Sequence, residues 1–150
     1  MPLTIVSRTN RILKNMNCYK MKNEITSDEL PNNLNLKENE FIIGLYFDSE
    51  SNRGKILFTN FGLYIIDTFN DCFVNFLEIK DELSPESKED VISGKIKGLN
   101  LELKNNSKIW LPVTAVSKNG GYDLYEFIRY FMRVRGDLSK YPKEEYLMKK

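Results

Sequence analysis

The sequence of 150 residues contains no histidine. The residues considered first for chemistry are therefore its two cysteines and those carboxylates that are adjacent to one another in sequence. Without histidine the protein cannot have a His-dependent catalytic triad or a histidine metal ligand. It also lacks the side chain that most often acts as general base at neutral pH. Cys18 and Cys72 lack the C-x-x-C spacing of a redox or metal site, which predicts two buried free thiols. A catalytic thiolate would need a nearby cation to lower its pKa, and only Lys20 stands close to Cys18 along the chain.

Paired carboxylates occur at Asp81-Glu82 and at Glu89-Asp90. Such pairs can bind a hard cation, or act as acid and base when they are buried together. Both pairs flank a Ser-Pro dipeptide in an acidic segment that we interpret as a solvated loop. Residues 67–71 look like the start of a calcium loop but lack its glycine and its closing glutamate, and no glycine spacing matches a phosphate-binding loop. The sequence therefore predicts no metal site, no cofactor and no catalytic residue.

The charge balance argues against a nucleic-acid partner. The chain has 22 basic and 21 acidic residues and a formal net charge of +1, which gives it no general attraction for polyanions. Residues 1–23 carry five basic and no acidic side chains, residues 24–90 five and fifteen, and residues 91–150 twelve and six. This distribution would create an acidic and a basic face only if the fold keeps the segments apart; the alternative is an evenly solvated surface.

The length and composition predict a domain that folds alone. At 150 residues, with 41% hydrophobic side chains, the chain can bury a core without a disulfide. The N-terminus lacks the pattern of a signal peptide, and no apolar run approaches the ~18 residues of a membrane-spanning helix. We therefore expect a cytoplasmic protein. The predicted boundaries are an N-terminal segment 1–34 of uncertain structure, a main domain 35–136 and a basic tail 137–150.

Short apolar runs separated by turn residues dominate from Phe41 onward, a pattern typical of antiparallel β-structure. The predicted strands are 41–47, 55–59, 63–67, 72–79, 94–104 and 108–115, with an uncertain one at 3–6. The continuous apolarity of 55–59 and 63–67 predicts a central hairpin that is covered on both faces. Asn60 and Gly62 are expected to take positive φ in its turn. Gly98 is expected to mark a bulge, Asn105-Asn106 to reverse the chain, and Pro112 to place the last strand at an edge.

Helical patterns stand at both ends of the chain. Ile12, Leu13, Met16 and Tyr19 recur at helical spacing, and Thr26 with Glu29 has the form of a capping box for one short turn. The clearest helix is predicted over 122–135 and is ended by Gly136. Its predicted apolar stripe is Leu124, Phe127, Ile128, Phe131 and Val134, and its predicted outer face is Asp123, Glu126, Arg129 and Arg133.

The order of these elements resembles the pleckstrin-homology-like (PH-like) superfold, and within it the GRAM and bacterial PH-like domains. The segments "GKILFTNFGLYIID", "FVNFLEIKDEL" and "GKIKGLNLELKNNSKIWLPV", followed by the helix, carry the resemblance over residues 35–136. It implies an α+β, mainly β, fold: a strongly bent antiparallel sheet or barrel of about seven strands capped by a C-terminal amphipathic helix. It also implies a domain that binds lipid head groups, peptides or proteins, and not an enzyme.

We expect this protein to bind another protein without catalysis. It could, for example, be a small bacterial immunity or regulatory factor. The candidate contact residues are Phe61 at the hairpin tip, the bases Arg53 and Lys55, and acidic residues that could cover a basic target, namely Glu78, Asp81, Glu82, Glu86, Glu89 and Asp90. Trp110 is expected to pack under a helix or loop more often than to stack on a ligand.

Two alternatives stay open at this point. The first is peripheral lipid binding through Arg53, Lys55 and the terminal lysines Lys140, Lys143, Lys149 and Lys150. Two acidic residues in 48–55 weigh against it. The second is an enzyme that uses the carboxylates or a thiol.

Overall fold

The computed structural model describes residues 3–16, 18–47, 55–66, 72–83, 87–93, 95–113 and 122–150. The helices are α1 Ile5–Leu13, α2 Lys88–Ile92, α3 Asp123–Lys140 and α4 Lys143–Met148. The strands are β1 Tyr19–Met21, β2 Ile42–Phe47, β3 Lys55–Thr59, β4 Gly62–Ile66, β5 Cys72–Asn75, β6 Ile79–Leu83, β7 Gly98–Leu103 and β8 Lys108–Pro112. Short 3-10 turns span Lys22–Glu24, Ser27–Glu29 and Phe76–Glu78. In these ranges no helix is long and apolar enough to cross a membrane.

The strands form two antiparallel sheets, in the orders β1-β2-β3-β4-β5 and β6-β7-β8. The predicted α+β, mainly β, class is confirmed, and the described strands do not close into a barrel. Eight strands are present among the described residues, where about seven were expected. Residues 3–6 form no strand, so two of the eight are additional to the six other predicted strands. One additional strand is β1, where Tyr19 lies opposite Tyr46 of β2. The other arises because the predicted strand 72–79 is divided between the two sheets.

The predicted central hairpin is β3–β4, in which Phe58 lies opposite Leu63. Ile56, Leu57 and Phe58 are all fully buried, so successive side chains on both faces of β3 are covered. This coverage is the physical reason for the unbroken apolar run, because an exposed face would select alternating polar residues.

The turn of this hairpin does not use positive φ, so that prediction is wrong: the non-glycine residues with positive φ in the described ranges are Asn39 and Asn106. Gly62 is required for a different reason, because a Cβ there would lie 2.0 Å from the Val74 carbonyl oxygen in β5. The Thr59 hydroxyl oxygen closes the turn by accepting hydrogen bonds from the Phe61 and Gly62 amides, at 3.2 and 3.3 Å. The predicted reversal at Asn105-Asn106 is confirmed, with Asn106 at φ 70°.

The chain leaves the first sheet at the 3-10 turn Phe76–Glu78, which interrupts the predicted strand 72–79. The Asn75 side chain caps this turn by accepting a hydrogen bond from the Leu77 amide at 2.9 Å. The predicted bulge at Gly98 is wrong, because β7 begins at that residue and the irregular pairing lies between Ile79 and Asp81 in β6.

Helix α3 carries the predicted apolar stripe, with Leu124, Phe127, Phe131 and Val134 buried and Ile128 half-buried. Gly136 does not end the helix, which continues to Lys140 and stops before Tyr141-Pro142, since proline disfavours helix at the preceding residue. Asp123 does not face away: it is fully buried and accepts a hydrogen bond from the Tyr46 hydroxyl at 3.0 Å.

The N-terminal residues form helix α1, so the uncertain strand at 3–6 is wrong. Thr4 caps this helix, and its hydroxyl oxygen accepts a hydrogen bond from the Ser7 amide at 3.2 Å. Ile5, Ile12, Leu13 and Met16 are buried in the same hydrophobic core as the sheets and α3. Tyr19 belongs to β1 instead of the helix. The predicted short turn after Thr26 is confirmed as Ser27–Glu29.

Candidate partner-binding site

The predicted acidic contact residues do not form one free surface. Asp81 and Glu82 lie in β6, and both lie close to Arg135 of α3. The segment predicted as an acidic loop contains helix α2, which holds Glu89 and Asp90 and is capped by Ser87. Glu78 is exposed in the turn before β6. Glu86 and Arg53 lie outside the described residues.

Glu82 is a structural residue rather than an exposed contact. It is buried, and Oε1 accepts a hydrogen bond from the Arg135 guanidinium. Burial raises the pKa of Glu82, although the hydrogen bond from Arg135 opposes that effect. Glu82 Oε2 and Arg135 Nε are buried without hydrogen-bond partners. The pair therefore joins α3 to the second sheet and leaves little of Glu82 for a partner.

Three of the predicted lipid-binding lysines contact other groups of the chain. Lys55 donates a hydrogen bond to the Glu29 carbonyl oxygen at 3.1 Å. The ammonium groups of Lys140 and Lys150 lie over the rings of Tyr141 and Phe41, at 5.4 and 5.3 Å from the ring centroids.

Phe61 lies at the predicted hairpin tip and is half-buried. Its carbonyl oxygen accepts a hydrogen bond from the Phe76 amide at 3.0 Å, which ties the tip to the turn between the two sheets. The tip is thus fixed in place by backbone contacts.

A basic groove of about 350 Å³ lies between the second sheet and the C-terminal half of α3. Its floor is apolar and consists of Phe76, Leu77, Ile79 and Leu138. Its rim carries four cationic side chains and Ser139; the cations are Lys80, Lys104, Arg135 and Lys143. Among the residues that the structure describes, no acidic one lines the groove. We use the name basic groove for this set of residues.

The cations of the basic groove differ in how far they are neutralised. Lys80 Nζ lies 3.7 Å from a carboxylate oxygen of Glu102, and Arg135 is paired with Glu82. Lys104 and Lys143 make no ion pair with any of the described residues. Two positive charges beside an apolar floor are therefore available to an anionic group.

Sequence reasoning did not find the basic groove, because its residues are distant along the chain. Lys80 and Lys104 come from the second sheet, whereas Arg135 and Lys143 come from α3 and α4. The one available signal was the basic excess of residues 91–150, which supplies three of the four cations. Lys143, a predicted lipid contact, lies in the same groove as Lys80 and Lys104 of the second sheet.

Trp110 is 51% exposed, so the expectation that it packs under a helix or loop is wrong. Its ring lies across Gly98, where a Cβ would come within 2.5 Å of the indole. The predicted edge position is confirmed, because β8 is the outermost strand of the order β6-β7-β8.

The backbone of β8 explains where its proline is tolerated. The Leu103 amide bonds to the Ser107 carbonyl and the Val113 amide to the Lys97 carbonyl, so odd-numbered residues of this strand face β7. Lys108, Trp110 and Pro112 turn their backbone groups outward. Proline has no N–H to leave unpaired there, and lysine and proline both discourage pairing with another chain.

Two buried carboxylates, Glu40 and Asp137, are hydrogen-bonded by donors of the chain itself. Glu40 accepts hydrogen bonds from Thr59 at 2.7 Å and from Tyr64 at 2.9 Å; burial, with Glu40 alongside, raises the pKa of Tyr64 to about 12. Asp137 accepts hydrogen bonds from Arg8 at 2.7 Å and from Tyr146 at 2.8 Å. These contacts hold elements together and leave the carboxylates engaged.

Both cysteines are free as predicted; Cys18 is buried, whereas Cys72 is half-buried, so the prediction of burial is wrong for Cys72. Burial raises the pKa of Cys72, which disfavours a thiolate at neutral pH. Within the described ranges there is no group of three or more potential metal-ligating side chains.

Comparison with known proteins gives no relative: no family model, no curated protein and no solved structure matches this chain. What can be inferred about function therefore depends on the geometry above.

Proposed function

We propose that this protein is a non-catalytic binding module of PH-like architecture that recognises another protein through its basic groove. The PH-like part is supported by element order: strands β2 to β5 follow one another in one sheet, β6 to β8 in a second, and α3 comes after them with its apolar stripe in the core. The resemblance drawn from the sequence has the same order.

The basic groove is the observation that carries the proposal. Its apolar floor and charged rim have the composition of a protein interface, in which an apolar centre is surrounded by polar groups. The positive charges of Lys104 and Lys143 are not paired with a carboxylate among the described residues, so the groove is complementary to an acidic partner surface. This reverses the sign expected from the sequence, where acidic residues were to cover a basic target.

Two observations favour a protein over the alternatives. The proposed lipid contacts Lys55, Lys140 and Lys150 already interact with groups of the chain itself, and a lipid head group would compete with those contacts. An enzyme would need ionisable groups that converge on an open site. The buried Glu40 and Asp137 are instead engaged by internal donors.

Site-specific photo-crosslinking in cells of the source organism tests the proposal. A photoreactive phenylalanine analogue replaces Ser139, an exposed residue of the basic groove, and in a control variant replaces Asn23, an exposed residue that lines a different cleft. We expect one protein adduct from position 139 and none of it from position 23. Recovery of lipid alone, or of the same proteins from both positions, would overturn the proposal.

A further inference from the structure

We infer that the basic groove binds an extended acidic segment of the partner, with an apolar side chain on the floor and carboxylates beside Lys104 and Lys143. This inference rests on the proposed function and specifies the chemistry of the partner. It is drawn from the charges of the groove, its floor and its size.

The available charges come from both sides of the basic groove. Lys104 follows β7, and Lys143 is the first residue of α4. Both side chains are exposed and unpaired among the described residues, so a ligand carboxylate does not have to displace an internal ion pair. Glu78 is the acidic residue next to the floor residues Leu77 and Ile79 along the chain. Lys80 and Arg135 also line the groove, but their charges are paired with Glu102 and Glu82.

The floor and the size of the basic groove favour an inserted side chain. Leu77 and Leu138 are half-buried and leave apolar surface open to a ligand. A volume of about 350 Å³ stands at the low end of ligand pockets, which span roughly 300–1,000 Å³. It accommodates one or two side chains of an extended segment, and the rest of that segment can reach the rim.

Among the described residues of the basic groove no arginine is free, so phosphate has no geometric advantage over carboxylate there. Arginine binds phosphate through a planar, bidentate pair of hydrogen bonds. Arg135 already donates a hydrogen bond to Glu82, and its Nε is buried. The two free cations are lysines, which act as point charges. A nucleic-acid strand would also need exposed rings for stacking, and Phe76 on the floor is only 1% exposed.

Fluorescence anisotropy with the full chain and short labelled peptides tests this inference. The probe is a peptide of glutamates around a central leucine; its controls replace the glutamates by glutamine, the leucine by serine, or the glutamates by phosphoserine. Vesicles with and without phosphatidylserine are measured by sedimentation. The protein variants are K104E/K143E in the groove and K22E/K95E elsewhere, which change the net charge equally at exposed positions.

We expect the leucine-centred acidic peptide to bind the native chain and the K22E/K95E control alike. Binding should weaken about tenfold or more in K104E/K143E and with the glutamine peptide, and it should fall as salt increases. The serine peptide should bind more weakly than the leucine peptide. Circular dichroism of each variant checks that it is folded.

Three results would overturn the inference: no binding of the acidic peptide at about 1 mM, equal loss in both lysine variants, or preference for phosphoserine or anionic vesicles. The crosslinking experiment separates this failure from a failure of the proposed function. A protein adduct at position 139 whose attached peptide is not acidic would leave protein binding intact and contradict only the acidic segment.

Discussion

Asn60 joins three parts of the chain through its side chain. Its Oδ1 accepts a hydrogen bond from the Phe41 amide at 2.9 Å, and its Nδ2 donates to the carbonyl oxygens of Asn39 at 3.1 Å and Leu147 at 2.9 Å. The residue is fully buried, so these three backbone groups depend on it in place of water.

Replacing Asn60 by alanine should lower the free energy of unfolding by about 3 kcal/mol, because several buried backbone groups lose their partner. Asn60→Asp should be worse, since a carboxylate would face two carbonyl oxygens. Urea denaturation measures both. Asn33→Ala, at an exposed position, is the control and should change stability by less than about 0.5 kcal/mol. An Asn60→Ala protein as stable as this control would show that the bonds contribute nothing net.

Glu29 should titrate at unusually low pH. The Lys20 ammonium, 2.7 Å away, and the Thr26 amide lower the pKa of Glu29 from its ordinary value of 4.5 to about 2. A depressed folded-state pKa stabilises the fold above the unfolded value, and that stabilisation is lost as the pH falls from about 4.5 towards 2. Carboxyl carbon NMR should show this midpoint, and Lys20→Gln should move it upward. A midpoint near 4.5 in the native protein would contradict the prediction.

At the scale of elements, two glycines have opposite roles. Gly62 lets β4 approach β5, where a Cβ would meet the Val74 carbonyl oxygen. Gly136 lies within α3, and a Cβ there would meet nothing within 4 Å. Gly62 is required because the space beside it excludes a side chain. Gly136 has room for a side chain, and its only effect is to weaken the helix.

Gly62→Ala should therefore destabilise the fold by about 2 kcal/mol through overpacking, whereas Gly136→Ala should stabilise it by about 0.5–1 kcal/mol. Thermal unfolding of the two variants gives both signs, and each is the control for the other. Destabilisation by Gly136→Ala would mean that the chain does not continue as a helix through that position.

Asp137 joins the helices α1, α3 and α4. It lies in α3, is 6% exposed, and is bonded to Arg8 of α1 and Tyr146 of α4. The sequence pattern ends the helix at Gly136 and places Asp137 in a tail, because the local pattern contains no information about Arg8 and Tyr146, its partners in the other two helices.

Replacing Asp137 by asparagine should lower the free energy of unfolding by about 3 kcal/mol, because Asp137 is buried and the half-buried Arg8 would lose its counter-charge. Tyr146→Phe should cost about 1 kcal/mol. The matched control is Asp81→Asn, an exposed carboxylate 3.7 Å from Arg135, for which about 1 kcal/mol or less is expected. Equal effects of the two aspartate changes, measured by denaturant titration, would refute the distinction between buried and exposed pairs.

At the scale of the whole molecule, the N-terminal helix and the sheets share one core. Ile5, Ile12, Leu13 and Met16 of the N-terminal segment are buried in the same cluster as Phe58 and Phe127. The shared cluster favours one cooperative unit, whereas the boundaries predicted at residues 34 and 136 leave open whether the N-terminal segment packs on the domain.

Deleting residues 1–16 decides between these views. Four buried apolar side chains contribute about 1.5–3 kcal/mol each, which together rival the net stability of a typical domain of about 5–15 kcal/mol. We expect the truncated chain to lose its cooperative thermal transition and its dispersed amide NMR spectrum. Retention of the full-length melting temperature would support the predicted boundary instead.

Part of the fold was predictable from residues that are close in sequence. The β3–β4 hairpin, the edge position of Pro112 and the stripe of α3 each depend on a local pattern of apolar and breaking residues, and all three are confirmed. The errors lie where tertiary contacts overrule local preference. The local pattern predicts that Asp123 lies on the exposed face of a helix, but in the structure it accepts a hydrogen bond from Tyr46 of β2.

By itself, the sequence determined the α+β class, the hairpin, the C-terminal helix and the absence of histidine chemistry, because side-chain periodicity and composition need no knowledge of distant neighbours. Only the tertiary structure brought Lys80, Lys104, Arg135 and Lys143 to one groove and paired Glu82 with Arg135. Electrostatic complementarity depends on distance in space. These four residues lie on different elements of the chain, and the local sequence pattern around each of them gives no information about its distance from the others.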